Sequence, residues 1–446
     1  MTAEPAPVAA VESSSTARRA AATISVRFAV VFVLGLSSVL TARGLNPAGR
    51  GTYGLVITVS WIGAALGHLS IEQANVLRWQ RGDDRRAIAS TSVLLGFLGG
   101  ALAALGCWLL IEYAGVGSFS SHDRRLIALV LPAVPLNILG GYLAGLHVLS
   151  DRLGRVNVIR FVTASSQLVL LTALWLTGRL NVTSAVAVWV ATLAAGPVIM
   201  LLPGLWIRPR YVTRKLARSL LRTGLTYHVG MAALFLLRRV DVVMLNTRVS
   251  RRDVGLYVVA VVLAELVFLP GESIAQVILP RQVAGSLVQA ATYTARVVRL
   301  NAIIGLGAAL GLAAVSPLVI LLAYGTSYVG SVAPLLALLP GVIAIGLTRP
   351  ITAILVRFDR PVVVSSICIG ALAVNVGLNL ALIPVLGVVG ASVASSLAYT
   401  VQAVAYTYWV LRSTPLRLSE LRPTLDDLKL FPTLIRRSAI GNPAAP

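Results

Sequence analysis

Long apolar runs separated by short polar stretches fill most of the chain. A helix needs about 20 predominantly apolar residues to cross the hydrocarbon core of a bilayer, and with a short loop it takes roughly 33 residues. The apolar part of the chain is long enough for about twelve such helices. We predict membrane-spanning helices over 22–42, 53–75, 88–112, 126–148, 157–177, 184–206, 225–247, 255–280, 298–323, 331–356, 362–384 and 388–411.

The predicted helices fall into two equal sets. Residues 22–206 hold the first six and residues 225–411 hold the second six, and we call these parts the N-lobe and the C-lobe. A basic segment, 207–224, links them. The polar segment 1–21 is predicted to be a disordered tail, and the charged, proline-containing segment 412–446 is predicted to be a second tail. Because the first apolar run is long enough to span, we interpret it as an anchor and not as a cleavable signal peptide.

Composition supports this membrane interpretation. Charged residues make up 12% of the chain and hydrophobic residues 57%, whereas an ordinary soluble domain carries about 25% charged residues. Lipid is therefore the expected solvent, which excludes a cytosolic enzyme, a nucleic-acid-binding protein and a secreted disulfide scaffold. Cys107 and Cys368 both lie in apolar runs and are interpreted as small buried side chains. The four histidines lack metal-ligand spacing, so no metal or other cofactor is expected.

The distribution of basic residues predicts the orientation. The net charge is +22, and 25 of the 38 lysines and arginines lie in the two tails and the even-numbered loops, whereas 8 lie in the odd-numbered loops. Cytoplasmic loops of membrane proteins carry the excess of lysine and arginine. The sequence therefore predicts a multi-pass protein of the plasma membrane with both termini in the cytoplasm, and with some attraction to anionic lipid headgroups.

Two weak matches suggest an internal duplication. Gly51-Thr-Tyr-Gly-Leu55 resembles Val254-Gly-Leu-Tyr-Val258 at an offset of about 204 residues, and 176–187 resembles 382–393 at an offset of 206. Two parallel six-helix repeats with a cavity between them are typical of an alternating-access transporter. No loop exceeds about 20 residues, so we expect no extramembrane catalytic domain and no enzyme activity.

Four segments carry recognisable motifs in chain order: Thr41–Gly54; Arg239-Val-Asp241 with Val254-Gly-Leu-Tyr257; Tyr324-Gly-Thr-Ser-Tyr-Val329; and Asn375–Pro384 with Gly387 and Gly390-Ala391. Together they resemble the polysaccharide-exporting flippases of the multidrug/oligosaccharidyl-lipid/polysaccharide superfamily. The first segment differs from the family's R-x-L-G-P-x-x-(F/Y)-G turn by an insertion of two to three residues. The resemblance covers the chain from about residue 25 to 410.

The resemblance implies an all-α, MATE-like fold in which two six-helix lobes form a V around a central cavity. It also implies a substrate, an oligosaccharide carried on a polyprenyl pyrophosphate, which moves from the cytoplasmic to the outer leaflet. Polysaccharide polymerases or glycosyltransferases are the implied partners. The predicted mechanism is rocking of the lobes while the prenyl tail stays in lipid.

Charged residues inside membrane helices are costly and are therefore functional candidates. Arg238 and Arg239 lie in the outer half of the seventh predicted helix, and Arg27 lies near the inner end of the first. Guanidinium groups bind phosphate oxygens bidentately, so we predict that these three arginines bind the pyrophosphate. Arg160 and Arg349 lie within two turns of the inner surface and are interpreted as reaching the headgroups.

Three acidic residues are predicted to couple transport to H⁺ or Na⁺. Glu265 lies near the middle of the eighth predicted helix, Glu272 follows it by seven residues, and Asp241 lies in the seventh. The alternative for all these charges is a set of structural ion pairs, for example between Arg239 and Glu265, that fixes helix packing. Asn375 and Asn379, one turn apart, are predicted to form interhelical hydrogen bonds.

Other functions stay open at this point. A cation-coupled multidrug exporter of the same fold would favour an anionic, aromatic cavity, and the arginines of the seventh helix oppose it. A flippase for a lipid-linked peptidoglycan precursor is a second alternative. A membrane polymerase or ligase would need a large outer loop, and the longest here has about 13 residues. A scaffold without transport activity has little reason to keep charges inside its helices.

Overall fold

The structure, a computed structural model, describes residues 8–113, 119–202, 207–268, 271, 286–356, 358, 360–424 and 427. Helices and their connections make up all of these ranges. The α-helices are α1 (Val8–Gly67), α2 (Ile71–Gln80), α3 (Arg85–Tyr113), α4 (Ser121–Val130), α5 (Ala133–Leu149), α6 (Leu153–Leu176), α7 (Val182–Leu201), α8 (Arg214–Leu237), α9 (Val240–Asn246), α10 (Arg251–Glu265), α11 (Leu287–Val319), α12 (Val332–Val356) and α13 (Pro361–Ser413).

Nine helical stretches in the described ranges are long and apolar enough to cross a membrane. Two of them, α1 and α13, each contain two predicted spans joined at a sharp kink. The helix α10, with the short 3₁₀ turn that follows it, covers the first part of the eighth predicted span, and most of 269–280 lies outside the described residues. The described helices therefore account for the predicted number of spans, and the prediction of an all-α polytopic protein is confirmed.

The two kinks have local causes. Asn46 has a φ of 57°, and its side-chain Oδ1 accepts hydrogen bonds from the backbone N–H groups of Ala48 and Gly49, both at 3.1 Å. Pro47 follows directly, at the first turn of a new helix, where the missing N–H costs nothing. In α13 the reversal falls at Gly387, whose φ of 55° is accessible without the clash a Cβ would create.

Three boundaries differ from the predicted ones. The helix α8 begins at Arg214, inside the predicted linker 207–224, because the Thr213 side chain accepts the Leu216 N–H and caps the helix. The predicted seventh span is divided between α8 and α9, with a break at Arg238 and Arg239. The helix α1 begins at Val8, within the segment 1–21 predicted to be disordered, after the last of its prolines.

The chain beyond α13 folds back onto the start of α11. Arg299 donates from Nε to Asp427, at 2.9 Å, and from Nη1 to the carbonyl oxygen of Glu420, at 2.7 Å. Burial raises the pKa of Asp427, but hydrogen bonds from Thr424 and Arg299 outweigh it and hold this pKa below its ordinary value. This part of the predicted tail 412–446 is therefore anchored by a charged contact.

Buried apolar side chains form two large clusters and several smaller ones. One large buried cluster joins the second arm of α1 to α3, α4, α5 and α7. A second joins α9, α10, α11 and α12, with a few residues from α1 and α13. The helix α1 takes part in both clusters, and α8 contributes Leu220 to the first, so both helices join the lobes.

The lobes touch most closely where α1 crosses α10. A Cβ on Gly51 would lie 2.0 Å from the carbonyl oxygen of Arg251, and a Cβ on Gly255 would lie 2.0 Å from that of Pro47. Residues 47 and 51 correspond to 251 and 255 at the repeat offset of 204. The two contacts are thus reciprocal, as expected when the two crossing helix segments come from a duplicated sequence.

We call this crossing, Pro47–Gly54 against Arg251–Val258 with its bordering residues, the outer seam, because the predicted orientation places it outside. Three further contacts close it. The Tyr328 hydroxyl donates to the Ala42 carbonyl oxygen at 2.8 Å. Arg251 pairs with Asp123 at the start of α4. Arg43 donates to the carbonyl oxygens of Leu322 and Ala323.

A side chain at the seam should hold the lobes apart. Replacing Gly51 or Gly255 with alanine places a methyl group against backbone that has no rotamer to move away, so we expect a loss of about 1–3 kcal/mol, the cost typical of overpacking. Thermal unfolding in detergent measures it. Gly106→Ala, at a helical glycine whose Cβ would meet no atom within 4 Å, is the matched control, and equal effects of the three substitutions would contradict the crossing.

Candidate functional site

The seventh predicted span is interrupted at the two arginines. Arg238 ends α8 and Arg239 precedes α9, and their N–H groups bond to the carbonyl oxygens of Phe235 and Leu236, only three residues back. This tightened turn separates the two side chains. Arg238 faces a cavity in the C-lobe, and Arg239 faces the N-lobe. The sequence predicted divergence from the 100° step of a helix, but not the break itself.

The C-lobe cavity lies among α8–α10, α12 and α13. Its volume is about 20 Å³, which is room for about one water molecule. Three of the predicted site residues, Arg238, Asp241 and Glu265, share its wall. The remaining lining residues are Tyr257, Val261, Ala264, Leu338, Val342, Ile345 and Tyr399. The cavity is therefore apolar on the α12 side and polar on the other.

Arg239 and Glu265 form an ion pair. Arg239 Nη2 lies 2.8 Å from Glu265 Oε1 and 3.0 Å from Oε2, and the two side chains are 18% and 30% exposed. The guanidinium carbon also lies 5.0 Å from the ring centroid of Trp61 in the N-lobe. The Trp61 ring is in turn packed edge-on against Trp189, with centroids 6.4 Å apart. Arg239 thus connects a C-lobe acid to an N-lobe aromatic pair.

The Arg239–Glu265 pair is the structural ion pair that the sequence offered as the alternative to a role in binding substrate. A guanidinium has five donors, and the bonds to Glu265 use one nitrogen of Arg239. The pair therefore fixes the arginine without exhausting its capacity to bind an anion. The geometry therefore fits both a structural role and an anion-binding role for Arg239.

Asp241 is held by neutral donors. It is 1% exposed, and it accepts hydrogen bonds from the Val242 N–H at 2.8 Å, from Ser395 Oγ at 3.0 Å, and from the Tyr257 hydroxyl. Asn375 Nδ2 donates to Ser395 Oγ at 3.2 Å, which extends the network across the kink of α13. The carboxylate is thus fixed by groups from α9, α10 and α13.

The two asparagines behave differently. Asn375 bonds to Ser395 on the other arm of α13, which agrees with the predicted role in linking helices. Asn379 Nδ2 bonds to Oδ1 and to the carbonyl oxygen of Asn375, within its own arm. Both side chains are fully buried, so each supports the Asp241 network instead of lining the cavity.

Arg27 belongs to a separate group of charges in the N-lobe. Arg160, an exposed residue on α6, interacts electrostatically with both Arg27 and Glu72. Glu72 lies 3.6 Å from His68 Nε2, and its Oε1 lies 2.9 Å from where a Cβ on Gly141 would be. The structure therefore does not bring Arg27 to the wall of the C-lobe cavity.

Sequence reasoning gave Arg160 and Glu72 no part in the site. Arg160 was interpreted as reaching the headgroups because it lies near the inner surface. Its position alone carried no signal of these nearby charges, since Glu72 lies on another helix. Glu272, the third predicted acid, lies outside the described residues. Among those residues no group of three His, Cys, Asp or Glu side chains could hold a metal ion.

The sequence matches no protein-family model and no curated protein. Solved structures do match. An inward-facing MATE-family multidrug resistance transporter of the MOP superfamily aligns with a TM-score of 0.73 and 14% identity, over 87% of this chain and 98% of that one. The lipid II flippase MurJ, in an inward closed conformation, aligns with a TM-score of 0.72 and 14% identity, over 93% and 91%.

A third similar structure is a MOP-superfamily transporter from Pyrococcus furiosus, with a TM-score of 0.61 and 14% identity, over 90% of this chain and 96% of that one. These likenesses span nearly the whole of each chain. The protein is therefore a multi-pass membrane protein with a MATE-like fold, and the predicted fold class is confirmed. The identities are too low to show more than the fold.

The Arg239–Glu265 pair should be strongly coupled. Glu265→Gln leaves a half-buried guanidinium without its counter-charge, so we expect a loss of about 1–3 kcal/mol in unfolding free energy. Adding Arg239→Gln should restore part of it. Thermal unfolding of both single variants and the double variant measures the coupling.

The pair of Arg124 with Glu112 is the matched control. It has a similar N–O distance of 3.1 Å, but its side chains are 39% and 41% exposed, and exposed pairs contribute about 0–1 kcal/mol. Additive effects at 239 and 265 would show that the charges act independently.

Proposed function

We propose that the protein is a flippase for an oligosaccharide linked to a polyprenyl pyrophosphate, and that it acts in cell-surface polysaccharide synthesis at the plasma membrane. One observation carries the proposal. A break inside a membrane helix presents Arg238 to a cavity and Arg239 to the facing lobe. Polysaccharide polymerases or glycosyltransferases would receive the cargo.

The chemistry of the arginines selects an anionic headgroup. A pyrophosphate offers several oxygens to planar guanidinium groups, and such charge-assisted bonds are stronger in a site with little water. Arg27 with Arg160 would meet the headgroup on the inner side, and Arg238 with Arg239 would meet it farther out. The similar fold of MurJ, a lipid II flippase, supports a lipid-linked substrate as a class.

While the cargo enters from the inner side, the outer seam would stay closed and act as the pivot of the lobes, and it would open to release the cargo. Two glycine backbones in van der Waals contact can rotate against each other without repacking side chains. The sugar would cross between the lobes, and the prenyl chain would stay in the bilayer. With both termini in the cytoplasm, export runs towards the seam.

Of the two predicted acids that the structure describes, Asp241 is the better suited to coupling with H⁺ or Na⁺. Glu265 is already neutralised by Arg239 at 2.8 Å. Asp241 is bonded to hydroxyl and amide groups and borders the cavity. A bound cation would therefore neutralise the Asp241 carboxylate. Release of the cation would leave that carboxylate charged within its buried hydrogen-bond network.

A cation-coupled multidrug exporter of the same fold is the second candidate. The carboxylate of Asp241 and the rings of Tyr257 and Tyr399 on the cavity wall favour it, as does the likeness to a multidrug transporter. The structure from Pyrococcus furiosus is described by a reversed polarity of its binding pocket that suggests a different function. Pocket polarity therefore differs among structures with this fold, and the arginines support an anionic cargo here. A peptidoglycan-precursor flippase would share the same headgroup chemistry.

Deleting the gene should cause one lipid-linked glycan to accumulate in the cell. Mass spectrometry of polyprenyl-pyrophosphate-linked sugars measures it. Wild type should restore the normal level. Arg239→Ala should not, because it removes a guanidinium from the path; losing one such anion contact reduces transport about 10-fold or more. Glu265→Ala should also fail, since it leaves Arg239 without its fixed position.

Arg124→Ala, which removes an arginine from the outer surface, should restore the level as wild type does. Each variant must be present in the membrane at the wild-type amount. Drug sensitivity without glycan accumulation would replace the flippase with the multidrug exporter and would make the arginines structural.

Asp241→Asn should make transport independent of the proton or sodium gradient. The amide keeps the size and the acceptor for Tyr257 but loses the charge. In proteoliposomes, we expect transport to lose its response to a proton or sodium gradient. A wild-type response in this variant would move coupling to another acid, and Glu265→Gln is the comparison.

A further inference from the structure

The outer seam contains a buried arginine with no acidic partner among the described residues. Arg50 is 5% exposed. Its Nη2 donates to Ser38 Oγ at 3.1 Å, and its guanidinium carbon lies 5.3 Å from the ring centroid of Tyr53. Its Nε is buried and bonds to no described atom. A buried cation compensated by a hydroxyl and a ring is costly.

Arg251 adds a second buried donor to the same place. Its Nη2 bonds to Asp123, but its Nη1 is buried and has no hydrogen-bond partner in the described part of the chain. The carbonyl oxygen of Arg251 packs against Gly51, the residue after Arg50. The two arginines therefore belong to one crossing and each keeps a donor unused.

The charge balance of the seam is positive, since its arginines outnumber its acids: Arg43, Arg50, Arg251 and Arg252 against Asp123 and Asp253. Arg43 spends its donors on the carbonyl oxygens of Leu322 and Ala323. Asp123 is the acid bonded to Arg251, and it also accepts the N–H of Ser120. The second arm of α1 and the helix α10 both start here, and helix N-termini add positive potential.

We propose that Arg50 and Arg251 form a diphosphate-binding site, covered while the outer seam is closed and exposed to the headgroup of the cargo when it opens. This rests on the proposed flippase function and extends it to the exit side. Asp123 is the counter-ion of the closed state. When the lobes separate, Asp123 leaves Arg251, and the phosphate oxygens replace it.

Replacing Asp123 by a diphosphate costs the arginines no charge-assisted bonds. In the closed seam the guanidinium of Arg251 binds one carboxylate, and Arg50 keeps one donor unused. In the open seam a diphosphate can bind both guanidinium groups at once, each bidentately. Release follows when closure returns Asp123 to Arg251 and covers Arg50 again. Inorganic pyrophosphate and a polyprenyl diphosphate share this chemistry, so both are needed as probes.

The first experiment opens the seam. Asp123→Asn keeps the side-chain size and an oxygen for the helix cap but removes the charge that holds Arg251. Spin labels at Ser121→Cys and Val329→Cys, with Cys107 and Cys368 replaced by alanine, report the distance across the seam by pulsed electron paramagnetic resonance. We expect a longer distance in Asp123→Asn than in the labelled parent.

The second experiment measures binding to the purified full chain in lipid nanodiscs. Asp123→Asn should bind inorganic pyrophosphate, and a polyprenyl diphosphate in the bilayer, about tenfold more tightly than wild type. Adding Arg50→Gln or Arg251→Gln should abolish the gain. Arg50→Lys should keep part of it, since a lysine carries the charge without the bidentate geometry.

Arg124→Gln in the Asp123→Asn background is the control and should leave binding unchanged. Undiminished binding after Arg50→Gln would overturn the proposal, as would an unchanged spin-label distance and no gain in Asp123→Asn. Binding of inorganic pyrophosphate without the polyprenyl diphosphate would overturn the headgroup assignment. The readout needs no glycan, so it stands apart from the accumulation that tests flippase function.

Discussion

The backbone contact between Gly51 and Gly255 is the constraint on which the arrangement of the lobes depends. Any larger residue at either position would push its Cβ into a carbonyl oxygen 2.0 Å away. The contact sets the distance between α1 and α10, and through α1 it joins the two apolar cores. Because it is made of backbone, it can transmit rotation between the lobes while the cores stay intact.

The charged side chains inside the helices have different kinds of partner within the C-lobe and between the lobes. Within the C-lobe, Asp241 is fixed by three donors from α9, α10 and α13, and Glu265 is fixed by Arg239. Between the lobes, the Arg239 guanidinium stacks on Trp61, and at the outer seam Arg251 pairs with Asp123. A stacked cation separates at lower cost than a buried ion pair. The C-lobe is thus built to move as a unit.

The sequence predicted what depends on local pattern. Span number, the reversals near Asn46 and Gly387, and the candidate pair Arg239–Glu265 all follow from hydropathy, turn residues and the cost of charge in lipid. It did not predict the break at Arg238, because nothing in the local sequence separates that segment from a continuous helix. Nor did it find Arg50, which falls in a predicted loop and becomes buried only when the other lobe covers it.

A protein that moves a diphosphate across a membrane must keep its charged oxygens solvated throughout the path. A phosphate that leaves water for an apolar cavity must keep charge-assisted partners at every depth, because each unpaired charge is costly. The arginines stand at successive depths in the predicted orientation: Arg27 near the inner surface, Arg238 and Arg239 in the outer half, and Arg50 with Arg251 at the seam. Glu265 holds Arg239 through one guanidinium nitrogen and Asp123 holds Arg251 through one, so both arginines keep donors for a further anion. In the proposed cycle a cargo would exchange partners along its path, and Glu265 and Asp123 would bind these two arginines again after it leaves.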